Sequence, residues 1–476
     1  MSNHCGYVVK VEKLRKHPNA DKLQILTVFG IDTCVGLDVV KGEIGVYFPS
    51  DLQLDIEFCD VNHLCRKTAN GEPDTGYLDR DKRNVTSIKL RGEKSDGLFL
   101  PISCLEYTGV DMDLLNVGTT ITDVNGHHIC EKYIPKRKHQ KTSSDKVNKT
   151  RKKKVPIAPL FAEHADTEQL AYNMDQFHLG DMIEVTLKMH GTSQRTGYLP
   201  RLVGWKPNNP LAALGMKYID AHEHLNKFQK KLADYAASHS HPIYDWGYVT
   251  GTRRVVLNDF NGAGFYDTNN FREGPAKEFE GKLHKGETVY YEVVGYTETG
   301  VPIMGDCNNK KLNDKDFVRE YGETTRFSYG CDEGFCDFYV YRMTMTNEDG
   351  DVVEYTPDFM RYRCEQMGIK TVPKFWTGII TDNYLAKTVD FETMEEVVRT
   401  PGEFVRELAE CYYDGPDPVG KSHVREGVVV RIINRPSFTA YKHKNWYFKA
   451  LEGIVKVEAD APDMEEAQEE FRDDAN

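Results

Sequence analysis

No stretch of this 476-residue chain approaches the ~20 consecutive apolar residues that a helix needs to cross a bilayer. The polar opening MSNHCGYVVK is no secretion signal. Both absences point to a soluble intracellular protein. Zinc-site spacing is missing too. The 11 cysteines are scattered, and the nearest pairs, Cys59/Cys65 and Cys331/Cys336, lack ribbon spacing. The cysteines therefore read as free thiols in a reducing compartment. There is no tandem repeat, and no overall basic charge: the net charge is -13. That balance suits a nucleic-acid enzyme poorly until the charges are located. Residues 136–154 hold ten Lys/Arg against a single Asp, and the end of the chain from Glu458 is acidic. Net charge bears on solubility, whereas a local basic run decides attraction to phosphate.

What is present is an ordinary globular balance, 28% charged and 39% hydrophobic, at a length that predicts two or three domains. Residues 1–133 read as short strands between turns: Tyr7 to Val11, Leu23 to Val28, Ile44 to Phe48, Val85 to Leu90 and Gly97 to Leu100. Residues 134–157 are too polar for a core and read as a basic flexible linker. They also fit a bipartite nuclear signal, so the expected location is cytoplasmic, or nuclear in a eukaryote. Residues 158–455 alternate strands with helices. Leu211 to Ala237 has the apolar spacing of one long helix, and Tyr355 to Met367 and Phe391 to Tyr412 include two more. Residues 456–476 read as an acidic disordered tail.

The chemistry concentrates in Leu187-Lys188-Met189-His190-Gly191-Thr192-Ser193. Ile183 to Leu187 alternates as a strand should, which presents Lys188 at a strand end. A lysine there suits a nucleophile for a nucleotide α-phosphate, with Gly191 letting the backbone pass close and Thr192 and Ser193 holding oxygens. Four further stretches follow. Arg253 and Arg254 sit beside an apolar strand, and Glu292 lies inside the apolar run Tyr290 to Tyr296. Tyr339, Tyr341 and Arg342 share an aromatic strand. Glu426 precedes Val428 and Val430, followed by Lys442-His443-Lys444. Singly, each has a bland reading as ion pair, core aromatic or solvated edge. Together they supply what nucleotidyl transfer needs: an amine, carboxylates for a metal, cations for phosphates and a clamp for the base.

KMHGTS resembles motif I of the covalent nucleotidyltransferases. Thr252-Arg253 resembles motif Ia, the Glu292 strand motif III, and Tyr341-Arg342 motif IIIa. Glu426-Gly427 resembles motif IV, and Lys442-His443-Lys444 motif V. The histidine of motif I, with Gly295 to Met304 and Phe161 to Gly180, is similar to the deinococcal-type ATP-dependent RNA ligases. That resemblance implies an α+β fold, with an N-terminal OB-like β-barrel joined to an ATP-grasp-like nucleotidyltransferase domain of antiparallel sheets plus helices. Lys16 to Leu23 and Leu90 to Gly97 also resemble OB-like tRNA-binding modules, which makes Lys22, Lys89 and Arg91 candidate nucleic-acid contacts.

The implied activity is sealing of 3′-OH and 5′-phosphate ends through lysyl-AMP and an adenylylated 5′ end. The implied partner is a nicked or broken RNA or RNA/DNA duplex, with no membrane, for a chain expected to act as a monomer. The cofactors are ATP and Mg²⁺ or Mn²⁺, the metal held by Glu292 and Glu426. Lys442 and Lys444 would contact the α-phosphate, and Leu187, His190 and Gly191 border the nucleotide. Arg253 and Glu292 approach ribose. The purine lies between Tyr339 or Tyr341, beside Arg342, and the Val428/Val430 face. His190 positions by hydrogen bond rather than acting as a base. A free lysine is about one part in a thousand neutral at pH 7, so the site must lower Lys188, through the metal and the Lys442/Lys444 pair. Deletion of residues 1–133 is expected to spare adenylylation and impair sealing. Rival readings are a GTP-using capping guanylyltransferase and a non-catalytic tRNA- or RNA-binding protein.

Overall fold

The computed structural model describes residues 4–134, 156–219, 226–253, 255–257, 271–385, 387–389 and 396–452. Most of the basic linker, the acidic tail and Arg254 lie outside them. No helix among the described residues is long and apolar enough to cross a membrane. All eleven cysteines are free thiols.

Short alternating runs form the N-terminal strands Gly6–Lys10 (β1), Lys13–Lys16 (β2), Leu23–Val28 (β3), Ile31–Gly36 (β4), Ile44–Phe48 (β5), Leu98–Pro101 (β6) and Thr120–Ile121 (β7). They pair antiparallel as a four-stranded sheet, β7-β1-β5-β6, and a separate three-stranded sheet, β2-β3-β4. Among the described residues the ladder does not close into the expected barrel. Its physical reason lies in the side chains of β1 and β5, which are apolar on both faces. Val8, Val46 and Phe48 pack with Leu54, Phe58 and Leu105 on one side. Val9, Val11 and Tyr47 pack with Leu26 and Val28 of the second sheet on the other. Two sheets stacked face to face satisfy both sides without ring closure. The expected strand Val85 to Leu90 is shorter, Ile88–Leu90, and turns through Arg91 and Gly92 at φ 48° and 97° into Glu93–Ser95. Two successive left-handed residues make the tight hairpin turn that matches strand twist.

The larger unit is built on Glu168–Gln169 (β8), Met182–Lys188 (β9), Thr192–Pro207 (β10), Ser240–Gly251 (β11), Val256–Leu257 (β12), Glu287–Gly295 (β13), Cys336–Thr346 (β14), Val352–Glu354 (β15), Lys374–Ile379 (β16), Gly427–Ile432 (β17) and Thr439–Lys444 (β18). One sheet has the order β8-β18-β17-β9-β16 and the other β12-β11-β10-β13-β14-β15. The chain leaves the first at Lys188 and enters the second at Thr192, so three residues join the sheets.

The expected helix from Leu211 to Ala237 is instead two, Pro210–Ile219 (α1) and Lys227–Ser238 (α2), packed on each other. A Cβ on Gly215 would lie 2.2 Å from the Leu232 carbonyl oxygen, so glycine permits that contact. Asn226 and Gln229 form a capping box that starts the second helix afresh. Pro357–Met367 (α3) falls inside its expected segment and Pro401–Tyr413 (α4) runs one residue past the end of its own, each with a threonine N-cap and proline in its first turn. Phe404, Val405 and Ala409 of α4 cover Ile183, Val185, Val428 and Val430 on one face of the first sheet. The opposite face, carrying Thr186, Lys188, Val429, Lys442 and Lys444 by alternation, looks toward the second sheet.

Candidate active site

Lys188 ends β9 directly opposite Gly427, the first residue of β17, which in turn lies opposite Lys444 at the end of β18. Three neighbouring strands thus bring motifs I, IV and V to one sheet edge. Gly427 has φ 150°, and a Cβ there would meet the His443 carbonyl oxygen at 2.1 Å. The strands close up only because that residue is glycine.

Glu426 is the hub. Its Oε1 lies 2.8 Å from Lys188 Nζ and 3.7 Å from Lys444 Nζ, and Oε2 lies 3.8 Å from His190 Nδ1. Burial alone would raise the Glu426 carboxyl, but the charges of Lys188 and Lys444 outweigh it and hold it below the usual range. Lys444 also donates to both oxygens of Glu452, at 2.8 and 2.9 Å, from the helix Trp446–Glu452 (α5). Burial disfavours its charge, yet Glu452, Asp51 and Glu426 keep its pKa well above normal. Burial, then the charges of Lys444 and Lys188, bring the Lys442 amine down to about 8.

His190 sits edge-on between Phe327 and Phe448, with ring centroids 4.6 and 4.7 Å away. Its main-chain N–H donates to the Tyr329 hydroxyl at 2.6 Å. Burial lowers its pKa to about 3, against the pull of Glu426, so the imidazole is neutral. The reason for Gly191 differs from the one expected, since its tight neighbour is the protein itself. A Cβ would meet the Val293 carbonyl oxygen at 2.4 Å and Glu292 Cγ at 2.9 Å. Ser193 lies opposite Glu292, and its hydroxyl hydrogen-bonds the Tyr341 hydroxyl at 3.0 Å. Buried Thr192 accepts from Arg272 at 2.6 Å, a residue the motif pattern did not flag.

Several expected contacts are placed elsewhere. The Leu187 side chain is in the core. Val428 and Val430 are fully buried under α4, so the motif IV side chain facing the cleft is Val429, opposite Thr186 and Lys442. The error was one of parity, because a strand turns every second residue to the same face. Tyr339 donates to Asp337 at 2.8 Å and lies under the Lys370 ammonium, whereas Tyr341 reaches Ser193. Arg342 is buried in an ion pair with Glu354, stacked on Tyr290 and Phe438. Arg253 pairs with Asp166 at 3.0 Å. Lys89 donates to Asp314 of the larger unit at 2.7 Å, while Lys22 and Arg91 are exposed.

Glu426 Oε2 is buried with no hydrogen-bond partner in the fold, an acceptor suited to a metal-bound water. Among the described residues no three His, Cys, Asp or Glu side chains cluster closely enough to cage an ion. The Glu426 acceptor fits a hard cation that keeps most of its waters.

No family model matches the sequence, and no curated protein matches it. Solved structures do. An RNA ligase of Naegleria gruberi bound to ATP and Mn superposes with TM-score 0.51 at 14% identity, covering 93% of this chain and 98% of that one. The same organism's ligase with AMP and Mn gives 0.51 at 14%, covering 94% and 98%. A further variant of that enzyme, with ATP and Mn, gives 0.51 at 15%, covering 94% and 99%. Over nearly its whole length, this chain is similar in fold to an RNA ligase.

Proposed function

We propose that the protein is an ATP-dependent RNA ligase that seals 3′-OH and 5′-phosphate ends, with nicks in duplex RNA or RNA/DNA hybrids as its substrate. The observation that carries this is the convergence of Lys188, Glu426 and Lys444 on adjacent strand ends beside the Glu292 strand. The similarity in fold to RNA ligases supports it.

In the first step the Lys188 amine attacks the α-phosphorus of ATP. A P–N bond forms, the P–O bond to pyrophosphate breaks, and the amine proton is lost. Glu426 orients the amine through its 2.8 Å contact. Lys442 and Lys444 offset charge as it builds on the phosphate oxygens. Ser193 and Tyr341 line the sugar side, and Tyr341 with Val429 clamps the base. A divalent cation, Mg²⁺ or Mn²⁺, fits with Glu426 and Glu292 holding its waters and would supply Lewis-acid charge at the phosphates. AMP then passes to a 5′-phosphate, and a 3′-hydroxyl displaces it. The N-terminal module, read as OB-like, grips the substrate through its exposed basic residues, Lys22 and Arg91 among them.

The test is transfer of label from each [α-³²P]NTP to the protein. Wild type is expected to take label from ATP, and Lys188→Ala to take none. Labelling of that variant would refute the nucleophile, and labelling by GTP alone would favour the guanylyltransferase reading.

A further inference from the structure

We propose that the N-terminal module completes the adenylylation site, delivering Asp51 as a positioning residue for the motif V lysine Lys442. The inference rests on the ligase reading and departs from the modular expectation that the module serves sealing alone. Asp51 lines one cleft with His4 and Ser50 of its own module and with Gln169, Lys442 and Lys449 of the larger unit. It stands at φ 81°, a left-handed conformation that non-glycine residues rarely adopt. Its backbone is fixed from both sides: its N–H donates to Val85 and its carbonyl accepts from Tyr133. Such conformations persist where the surrounding structure imposes them, and they gather at functional sites.

The module is clamped in that pose. Lys449 donates to buried Asp96 at 2.6 Å, Lys89 to buried Asp314 at 2.7 Å, and Tyr7 and Phe29 pack on Tyr172 with ring centroids 4.7 and 5.2 Å apart. Charge supplies the role. Lys188 and Lys444 meet Glu426 and Glu452, and Asp51 brings a further carboxylate to the cleft that Lys442 lines. Its charge favours the protonated form of Lys442. Half-buried ammonium groups crowded together repel one another, and a fixed counter-charge holds them in place until phosphate arrives.

The experiment uses the full chain with Asp51→Asn and Asp51→Gly, which both tolerate the left-handed backbone. Each is expected to slow lysyl-adenylate formation about tenfold or more at saturating ATP, with melting temperature little changed. A second readout needs no turnover: acetylation of individual lysines, mapped by mass spectrometry without nucleotide, should rise at Lys442 in both variants. Unchanged adenylylation in both variants overturns the proposal, and so does unchanged Lys442 reactivity. If wild type takes label from no nucleotide while Lys442 reactivity still rises, the ligase reading fails and the Asp51 placement stands.

Discussion

A single carboxylate, Glu426, holds two of the three lysines, and its replacement separates charge from shape. Glu426→Gln keeps the volume but leaves Lys188 and Lys444 without that compensation. Adenylylation should fall by about a hundredfold, read as label transfer per minute, while retained activity would make Glu426 dispensable. Gly191→Ala forces a methyl against the Val293 carbonyl and Glu292. It should cost about 1–3 kcal/mol in urea unfolding and reduce labelling as well, because the same turn carries Lys188. His190 and His443 carry a pH signature, since burial lowers both to about 3. In the unfolded chain an imidazole takes up a proton below about pH 6.5. Each therefore stabilises the fold above that pH, and the contribution drains away as pH falls toward 3, by at most about 1.4 kcal/mol per unit. The urea midpoint should drop between about pH 7.5 and 5.5, a window above ordinary carboxylate titration. A flat midpoint would contradict the burial of these rings.

Strand β17 divides its valines by parity, which gives two substitutions of equal size and different consequence. Val428→Ala opens a cavity under α4 and should cost about 1–3 kcal/mol of stability with ATP affinity preserved. Val429→Ala removes a cleft wall and should raise the KM for ATP with the melting temperature nearly unchanged. If the two effects were exchanged, the register of β17 against β9 would be wrong. Parity was readable in principle, since EGVVVR alternates from any fixed starting point. What the sequence did not supply was the starting face, because three consecutive valines look alike until α4 covers two of them. The same limit explains the helical hairpin. Residues 211–237 have helical spacing throughout, and the packing of α1 on α2 is decided by Gly215 meeting Leu232 rather than by local propensity.

At the scale of the whole molecule, the two units are joined by ion pairs that the N-terminal residues alone do not betray. Burial by itself would raise the Asp314 carboxyl, but Lys89 and the Phe317 N–H hold it at about 2. Lys89→Ala should therefore destabilise the protein by about 1–3 kcal/mol and leave the salt dependence of RNA binding unaltered. Lys22→Ala and Arg91→Ala, both exposed, should each lower the slope of log affinity against log salt by about one. Equal slopes for all three variants would place RNA elsewhere on the module.

The sequence by itself determined the strand ends and the residue types they carry: an amine at Lys188, carboxylates at Glu292 and Glu426, and alternating lysines at 442 and 444. Period-two alternation and glycine spacing are local, so they survive without knowledge of neighbours. Only the tertiary structure decided that Val429 rather than Val428 faces the cleft, that Lys89 is bound to Asp314, and that Asp51 stands among the lysines. The last two join residues hundreds of positions apart, the first depends on a separate helix folding over β17, and their energy comes from burial and opposed charge, which no local pattern records.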